Sequence, residues 1–403
     1  MHRGGRIAAA LEHFQAAAAA SPRDPDLQLA VSKALADLGR HAEAEPAFVR
    51  ALATDPDHFP TLWTFGRYSV ARGNFTRAAK LFAEALRRSP GDEALPMFLA
   101  QVELLLGKWD GAWSAYAMRA PRREFERALS AAGSIYRVPA MAEVAGRDIT
   151  LVAEQGLGDI LFFLRHAPRL RDAGARLHFA GAPRLHSLLA RTRLFESFGR
   201  SADPAAVASA QPLLVGDLPA LFASCATRFE PSLRIAPDPV RAARWRKALQ
   251  AAGPRPWIGV TWRAGTRADE VANALHKTIP ADRLFAALAP LGGTAIALQR
   301  RMVHGELQAA GHSLGREVHD FAEANEDLED ALALVSLLDR HIGVSNTNMH
   351  LAAAVGATAD VLVPYPPEWR WRLEGDSPWF PGFRVHRQAR DGDWSPALAA
   401  LAR

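Results

Sequence analysis

Cysteine is almost missing from this chain: Cys225 stands alone among 403 residues, which excludes a disulfide framework and a multi-cysteine metal site. Lysine is scarce too. Only Lys33, Lys80, Lys108, Lys247 and Lys277 occur among 48 basic residues, a bias that fits genome composition rather than a function. Those 48 are set against 43 acidic residues, leaving a net charge of +5, and no Lys/Arg run is interleaved with aromatics. Nucleic acid is therefore not an expected partner. No uninterrupted apolar segment of about 18 residues occurs, so a transmembrane helix is not expected. The opening MHRGGRIAAALEHFQAAAAASPR sets arginines before an alanine-rich run, but Glu12, His13 and Gln15 interrupt it. An export signal is not expected, and the expected compartment is the cytoplasm.

What is present is a globular composition, with 49% hydrophobic and 23% charged residues, enough for two or three domains with sizeable cores. The first third repeats. Gly5, Gly39, Gly73 and Gly107 are spaced evenly, and so are Ala10, Ala44, Ala78 and Ala112 and the aromatics Phe14, Phe48, Phe82 and Tyr116. Pro22, Pro56 and Pro90 keep the same interval. A fixed period of this length is the mark of stacked helical hairpins. Small residues (Ser32, Gly66, Ala100) let paired helices approach, aromatics fill the gap to the next hairpin, and proline ends each unit. Whole units are expected near 25–58, 59–92 and 93–126. The register opens midway through a unit, so Ile7, Leu11 and Phe14 are expected to form a partly uncovered apolar face. Either a frayed or self-associating N-terminus or a natural chain that begins further upstream would follow.

From residue 148 apolar strands alternate with amphipathic helices, the pattern of parallel sheets with crossover helices. DITLVAEQ and ARLHFAG are predicted strands of a first half, with GDILFFLRHAPRLRDAG and PRLHSLLART as its helices. WIGVTW, TAIALQ, RHIGVSN and ADVLVPY are strands of a second half, closed by the helix WSPALAALAR. Ligands of such sheets bind beyond the carboxyl ends of the strands. Four strand ends stand out. EQGLGDI offers Gly156 and Gly158 for close backbone approach, with Asp159 at a helix start; Asp159 could equally answer the helix dipole. TWRAGTR carries Arg263, Gly265, Thr266 and Arg267, and LQRR carries Gln299. VSNTNMHLAAAVG sets Ser345, Asn346, Thr347 and Asn348 between a strand and a small-residue helix, which is either a cradle for phosphate or an ordinary N-cap.

The combination of EQGLGD, W-R-A-G-T, VSNTNMHLAAAVG and PYPPEWRW…DSPWFPGFRV…Q…GDWSPAL resembles glycosyltransferases of the two-lobed GT-B fold, in the heptosyltransferase-like (family 9-like) branch. The repeats resemble tetratricopeptide repeats, with which that branch is often fused. The resemblance covers essentially the whole chain. It implies a helical repeat solenoid over 1–130, a Rossmann-like acceptor lobe over 131–252, and a Rossmann-like nucleotide-sugar lobe over 253–403. It implies sugar transfer from a nucleotide-sugar donor to a protein or glycan acceptor recruited by the repeats, with a protein partner on the solenoid. Carried over residue by residue, it makes Asp159 the catalytic base and places the donor at Gly156, Gly158, Arg263, Gly265, Thr266, Lys277, Gln299, Ser345, Asn346, Thr347, Asn348 and His350.

Inverting transfer needs a carboxylate to take the acceptor proton and positive groups to meet the departing diphosphate. Lys277, Arg263 and the backbone N–H groups of 346–348 suit the second task. No Asp-x-Asp triad is evident near these strand ends, so no metal or other cofactor is expected. Each residue also has a plainer reading: Lys277 as a surface lysine, His350 as a core histidine, Gln299 as a cleft lining, Trp369 and Trp371 as packing rather than a stack on the nucleotide base. Relatives usually carry Asp-Thr where this chain has Ser345-Asn346, and that departure motivates an alternative, a repeat scaffold with a degenerate, non-catalytic binding region. An epimerase or phosphorylase on the same fold is a third reading. If Asp159 is the general base, Asp159→Asn is expected to leave donor affinity nearly unchanged, since the donor is bound by the other lobe.

Overall fold

The computed structural model describes residues 2–200, 211–222, 229–264 and 277–402. Two compact units divide the chain, Met1–Ala120 and Pro121–Arg403.

The first unit is a run of paired helices: α1 (His2–Ala20), α2 (Pro25–Asp37), α3 (His41–Thr54), α4 (Phe59–Ala71), α5 (Phe75–Arg88), α6 (Leu95–Leu105) and α7 (Trp109–Tyr116). The pairs α2/α3, α4/α5 and α6/α7 fall within the three expected units. Gly39, Gly73 and Gly107 lie between the helices of each pair at φ +73°, +75° and +72°, a left-handed turn that glycine makes without a Cβ penalty. The repeated alanines Ala44, Ala78 and Ala112 are fully buried, with the aromatics Phe48, Phe82 and Tyr116 beside them. Gly66 shows why small residues recur. A Cβ there would stand 2.4 Å from Cε1 of Phe82, so only glycine lets α4 meet α5 at this point. The expectation of a partly uncovered first helix holds for Ile7 and Phe14, which are half-buried. Leu11, by contrast, is buried at 3%, because α1 packs against α2.

The second unit begins with α8 (Ala120–Ala131) and contains two parallel sheets. The first has the strands β1 (Asp148–Val152), β2 (Arg176–Ala180), β3 (Phe195–Gly199) and β4 (Gln211–Leu214), in the order β3-β2-β1-β4. The second has β5 (Trp257–Thr261), β6 (Thr294–Ala297), β7 (Val318–Asp320), β8 (Arg340–Val344), β9 (Asp360–Val363) and β10 (Arg384–Arg387), in the order β10-β9-β8-β5-β6-β7. All pairings between these strands are parallel; an isolated bridge, Arg263 to Thr278, is antiparallel. The chain is thus a helical repeat solenoid followed by two doubly wound α/β lobes, the arrangement expected of a GT-B chain. Strands β5 and β9 are buried throughout, as parallel strands covered on both faces must be. Edge strand β3 is largely exposed, and its weak apolar pattern hides it from a reading of periodicity.

Strand order fixes where a ligand can enter. In the second sheet the chain runs outward from β5 to β7, then returns to β8 and runs the other way, so the switch point lies between β5 and β8. In the first sheet it lies between β1 and β4. Crevices open at the carboxyl ends of such strands. The helix after β1 also differs from expectation. It divides into α9 (Leu157–Phe163), a 3-10 turn over Leu164–His166 and a separate helix Ala167–Asp172, with Pro168 in the first turn of the last, where its missing N–H costs nothing.

Candidate active site

Both switch points carry the predicted residues. After β8 the chain turns into the helix Thr347–Val355, and Asn346 caps it: Oδ1 accepts from the Asn348 N–H at 3.0 Å. The Asn346 side-chain amide donates across the switch to Thr261 Oγ1, also at 3.0 Å. Asn346 therefore is an N-cap, and it ties the ends of β5 and β8 together as well. Those ends approach closely because Gly343 has no side chain; a Cβ there would lie 2.0 Å from Thr261 Oγ1. Ser345 Oγ donates to Glu368 Oε2 at 3.1 Å. Asn348 and His350 are buried on the helix, and Thr347 opens it.

Gln299 has a defined task. Its Oε1 accepts from the backbone N–H groups of Trp262 and Arg263 at 2.9 and 2.8 Å, which pins the chain leaving β5 to the chain leaving β6. Arg263 is drawn to Glu306, with one nitrogen on each carboxylate oxygen, the Nη2 contact at 3.0 Å. Trp262 Nε1 donates to the same carboxylate at 2.7 Å. Arg263 thus arrives at the edge with its charge already answered. Gly265, Thr266 and Arg267, like Cys225, lie outside the described residues.

Lys277 returns beside the strand end because Ala264 N–H donates to Lys277 C=O at 3.0 Å and Ile279 N–H to Trp262 C=O at 2.9 Å. Its ammonium reaches Glu368 Oε2 at 2.7 Å, with the lysine side chain 23% exposed. Glu368 and Arg370, in the loop after β9, were not singled out from the sequence, although EWRW is part of the quoted motif. The available signal was an acid and a base alternating with tryptophans just beyond a strand end. Glu368 Oε1 takes Arg370 Nη1, and Arg370 Nη2 reaches Asp159 Oδ1 at 2.5 Å. Asp159 of one lobe, Arg370, Glu368 and Lys277 so form a continuous line of alternating charge. Burial pushes the Glu368 carboxyl up, but the charges of Lys277 and Arg370 and their hydrogen bonds outweigh it and hold the group well below the usual carboxylate range.

Aromatic rings hold this line in place. The Arg370 guanidinium lies 4.5 Å from the ring centres of both Phe162 and Trp369, and the Arg165 guanidinium lies 4.0 Å from that of Phe162. Trp369 and Trp371 are buried at 4% and 0%, with Trp371 stacked on Phe380, so packing is what they do here. His350 is buried against Phe380. Burial first, and then the nearby Arg370 charge, push its pKa well down, leaving a neutral imidazole. Gly158 is explained by that ring: a Cβ would stand 2.9 Å from His350 Cδ2. Gly156 is different, since its Cβ would make only an ordinary 3.5 Å contact with Asp159 Oδ2. Among the described residues, no group of three His, Cys, Asp or Glu is placed to hold a metal ion, and no helix is long and apolar enough to cross a membrane.

Residues 3–65 and 69–131 match the Tetratricopeptide repeat family. The second stretch runs on through α8. Protein FlbA of Caulobacter vibrioides is 27% identical over 433 residues, covering 98% of this chain and 70% of that protein. Two solved structures are similar in part: a glycosyl transferase family 9 protein from Veillonella parvula, at 12% identity, TM-score 0.48, and 61% of this chain against 87% of that one, and the O-GlcNAc transferase of Thermobaculum terrenum, at 15% identity, TM-score 0.33, and 100% against 87%.

Proposed function

We propose that the two-lobed unit is a glycosyltransferase that moves a sugar from a nucleotide-sugar donor to a protein or glycan acceptor brought to it by the repeats. The observation that carries this reading is the line Asp159–Arg370–Glu368–Lys277, which sets a carboxylate of one lobe against the cations of the other at the carboxyl ends of both sheets. In this reading Asp159 takes the proton of the acceptor hydroxyl as that oxygen attacks the anomeric carbon, with inversion. Lys277 and the N-terminus of the helix Thr347–Val355 meet the charge of the departing diphosphate, without a metal. Arg263, held by Glu306, and Gln299 frame the same edge, while Gly156 leaves the backbone open to the substrate.

Asp159→Asn keeps the shape of the side chain and removes the proton acceptor, so transfer should fall by about 10² to 10⁴ in a variant that melts normally. A normal rate per folded molecule would rule Asp159 out as the base. The donor is found by thermal-shift screening against nucleoside diphosphates and their sugars, followed by mass spectrometry of hydrolysis and transfer.

One observation favours a second reading, a repeat scaffold with a non-catalytic binding region. Ser345 and Asn346, the pair at which the resemblance implies Asp-Thr, both spend their side chains on contacts within the protein. Nucleotide-sugar binding with neither hydrolysis nor transfer would support it.

A further inference from the structure

We infer that Glu368 and Arg370 couple anion binding at Lys277 to the freedom of Asp159, so that the donor's diphosphate itself unmasks the base. The inference rests on the donor site proposed above. Four side chains share their charges along one line: Lys277 on Glu368 Oε2, Arg370 on Glu368 Oε1 and on Asp159 Oδ1. Two cations answer two carboxylates, so a change at one end must be redistributed along the line. Arg370 is suited to pass it on, because its planar fork gives one nitrogen to each carboxylate. The rings of Phe162 and Trp369, each 4.5 Å away and perpendicular to one another, hold the guanidinium from two sides, so that it shifts between the carboxylates rather than leaving them.

A diphosphate that draws Lys277 away leaves Glu368 with one cation fewer. Glu368 then pulls harder on Arg370, and the contact with Asp159 loosens. The Asp159 carboxylate, 31% exposed, becomes available to the acceptor's proton only once a donor is in place. Arg370 and Glu368 are positioning residues in this scheme, since neither takes the proton. Coupling between two sites is reciprocal. Removing the Asp159 charge must release Arg370 to Glu368, free Lys277 and tighten anion binding, against the expectation that donor affinity ignores Asp159.

The test is calorimetric binding of inorganic pyrophosphate to the full chain. Asp159→Asn should tighten binding about fivefold or more, within the usual range of such couplings. Arg370→Lys keeps the charge but loses the fork, and in that background Asp159→Asn should change affinity less than about twofold. Glu368→Gln, a nearly isosteric cut at the middle of the line, should abolish the coupling likewise and serves if the lysine variant fails to fold. Equal tightening in all backgrounds would show plain through-space repulsion and overturn the coupling, as would no tightening in the parent. Loss of the donor-site reading has a different signature: pyrophosphate affinity that Lys277→Met leaves unchanged overturns both.

Discussion

At the scale of the residue, the site is built from side chains whose chemistry is fixed by their neighbours. Glycine at 158 and a neutral histidine at 350 belong together, because the ring occupies the space a Cβ would need. Gly158→Ala should therefore cost about 1 to 3 kcal/mol, as overpacking does, and should lower turnover by displacing the adjacent Asp159. Urea unfolding reads the first effect, and unchanged stability would mean that the ring has room to move. Arg165 is the other buried group at this corner, 3% exposed; burial and the neighbouring Arg370 pull its pKa down to about 9. It stays charged at neutral pH because the carbonyls of Phe162, Glu230 and Trp379 surround it at 2.8, 3.2 and 3.1 Å. Its alanine variant would leave those carbonyls unanswered, at a cost that buried hydrogen-bonded charges make large.

At the scale of the element, the turn from β8 into the helix Thr347–Val355 answers one part of a question that spacing leaves open. A polar tetrad before a small-residue helix can cap, bind or do both, and Asn346 caps. Asn346→Ala should cost about 0.5 to 2 kcal/mol, as lost caps do, read from the melting temperature. Asn346→Asp keeps the cap acceptor and adds a charge that the helix dipole favours, but it also faces any incoming anion. It should thus melt no lower than the parent by more than the lost bond to Thr261 allows, while binding pyrophosphate more weakly. Equal affinity in the two proteins would place the anion away from this helix. In the solenoid, the corresponding element is the α4/α5 pair. Gly66→Ala must push the Phe82 ring out of its buried place, and truncating Phe82 to alanine should cost about 3 to 5 kcal/mol.

At the scale of the whole molecule, acid should unfold this protein earlier than its carboxylates alone would require. Burial holds the His341 pKa down to about 4; burial and the charges of Arg165 and Arg169 hold that of His166 down to about 3. Both rings are neutral when folded and take up a proton when unfolded, near pH 6.5. The unfolded chain binds more protons, so stability falls as pH drops below about 6.5, by about 1.4 kcal/mol per unit for each ring, until the folded pKa is reached. His350, held neutral in the same way, adds to the slope; unfolding followed from pH 7 to pH 5 should show it, and His341→Leu should remove about a third of it. The sequence by itself determined the period of the solenoid, the alternation of strand and helix, and the strand ends that carry the candidate residues, because these are set by local spacing, turn residues and apolar runs. It did not reach the edge strands β3, β4, β7 and β10, none of which is buried along its whole length, so that they leave a weaker apolar pattern. Nor did it reach the site's connections. That Glu368 stands beside Lys277, 91 positions away, and Arg370 beside Asp159, 211 away, follows from strand order and the packing of the aromatic segment, and only the tertiary structure decides which charges meet.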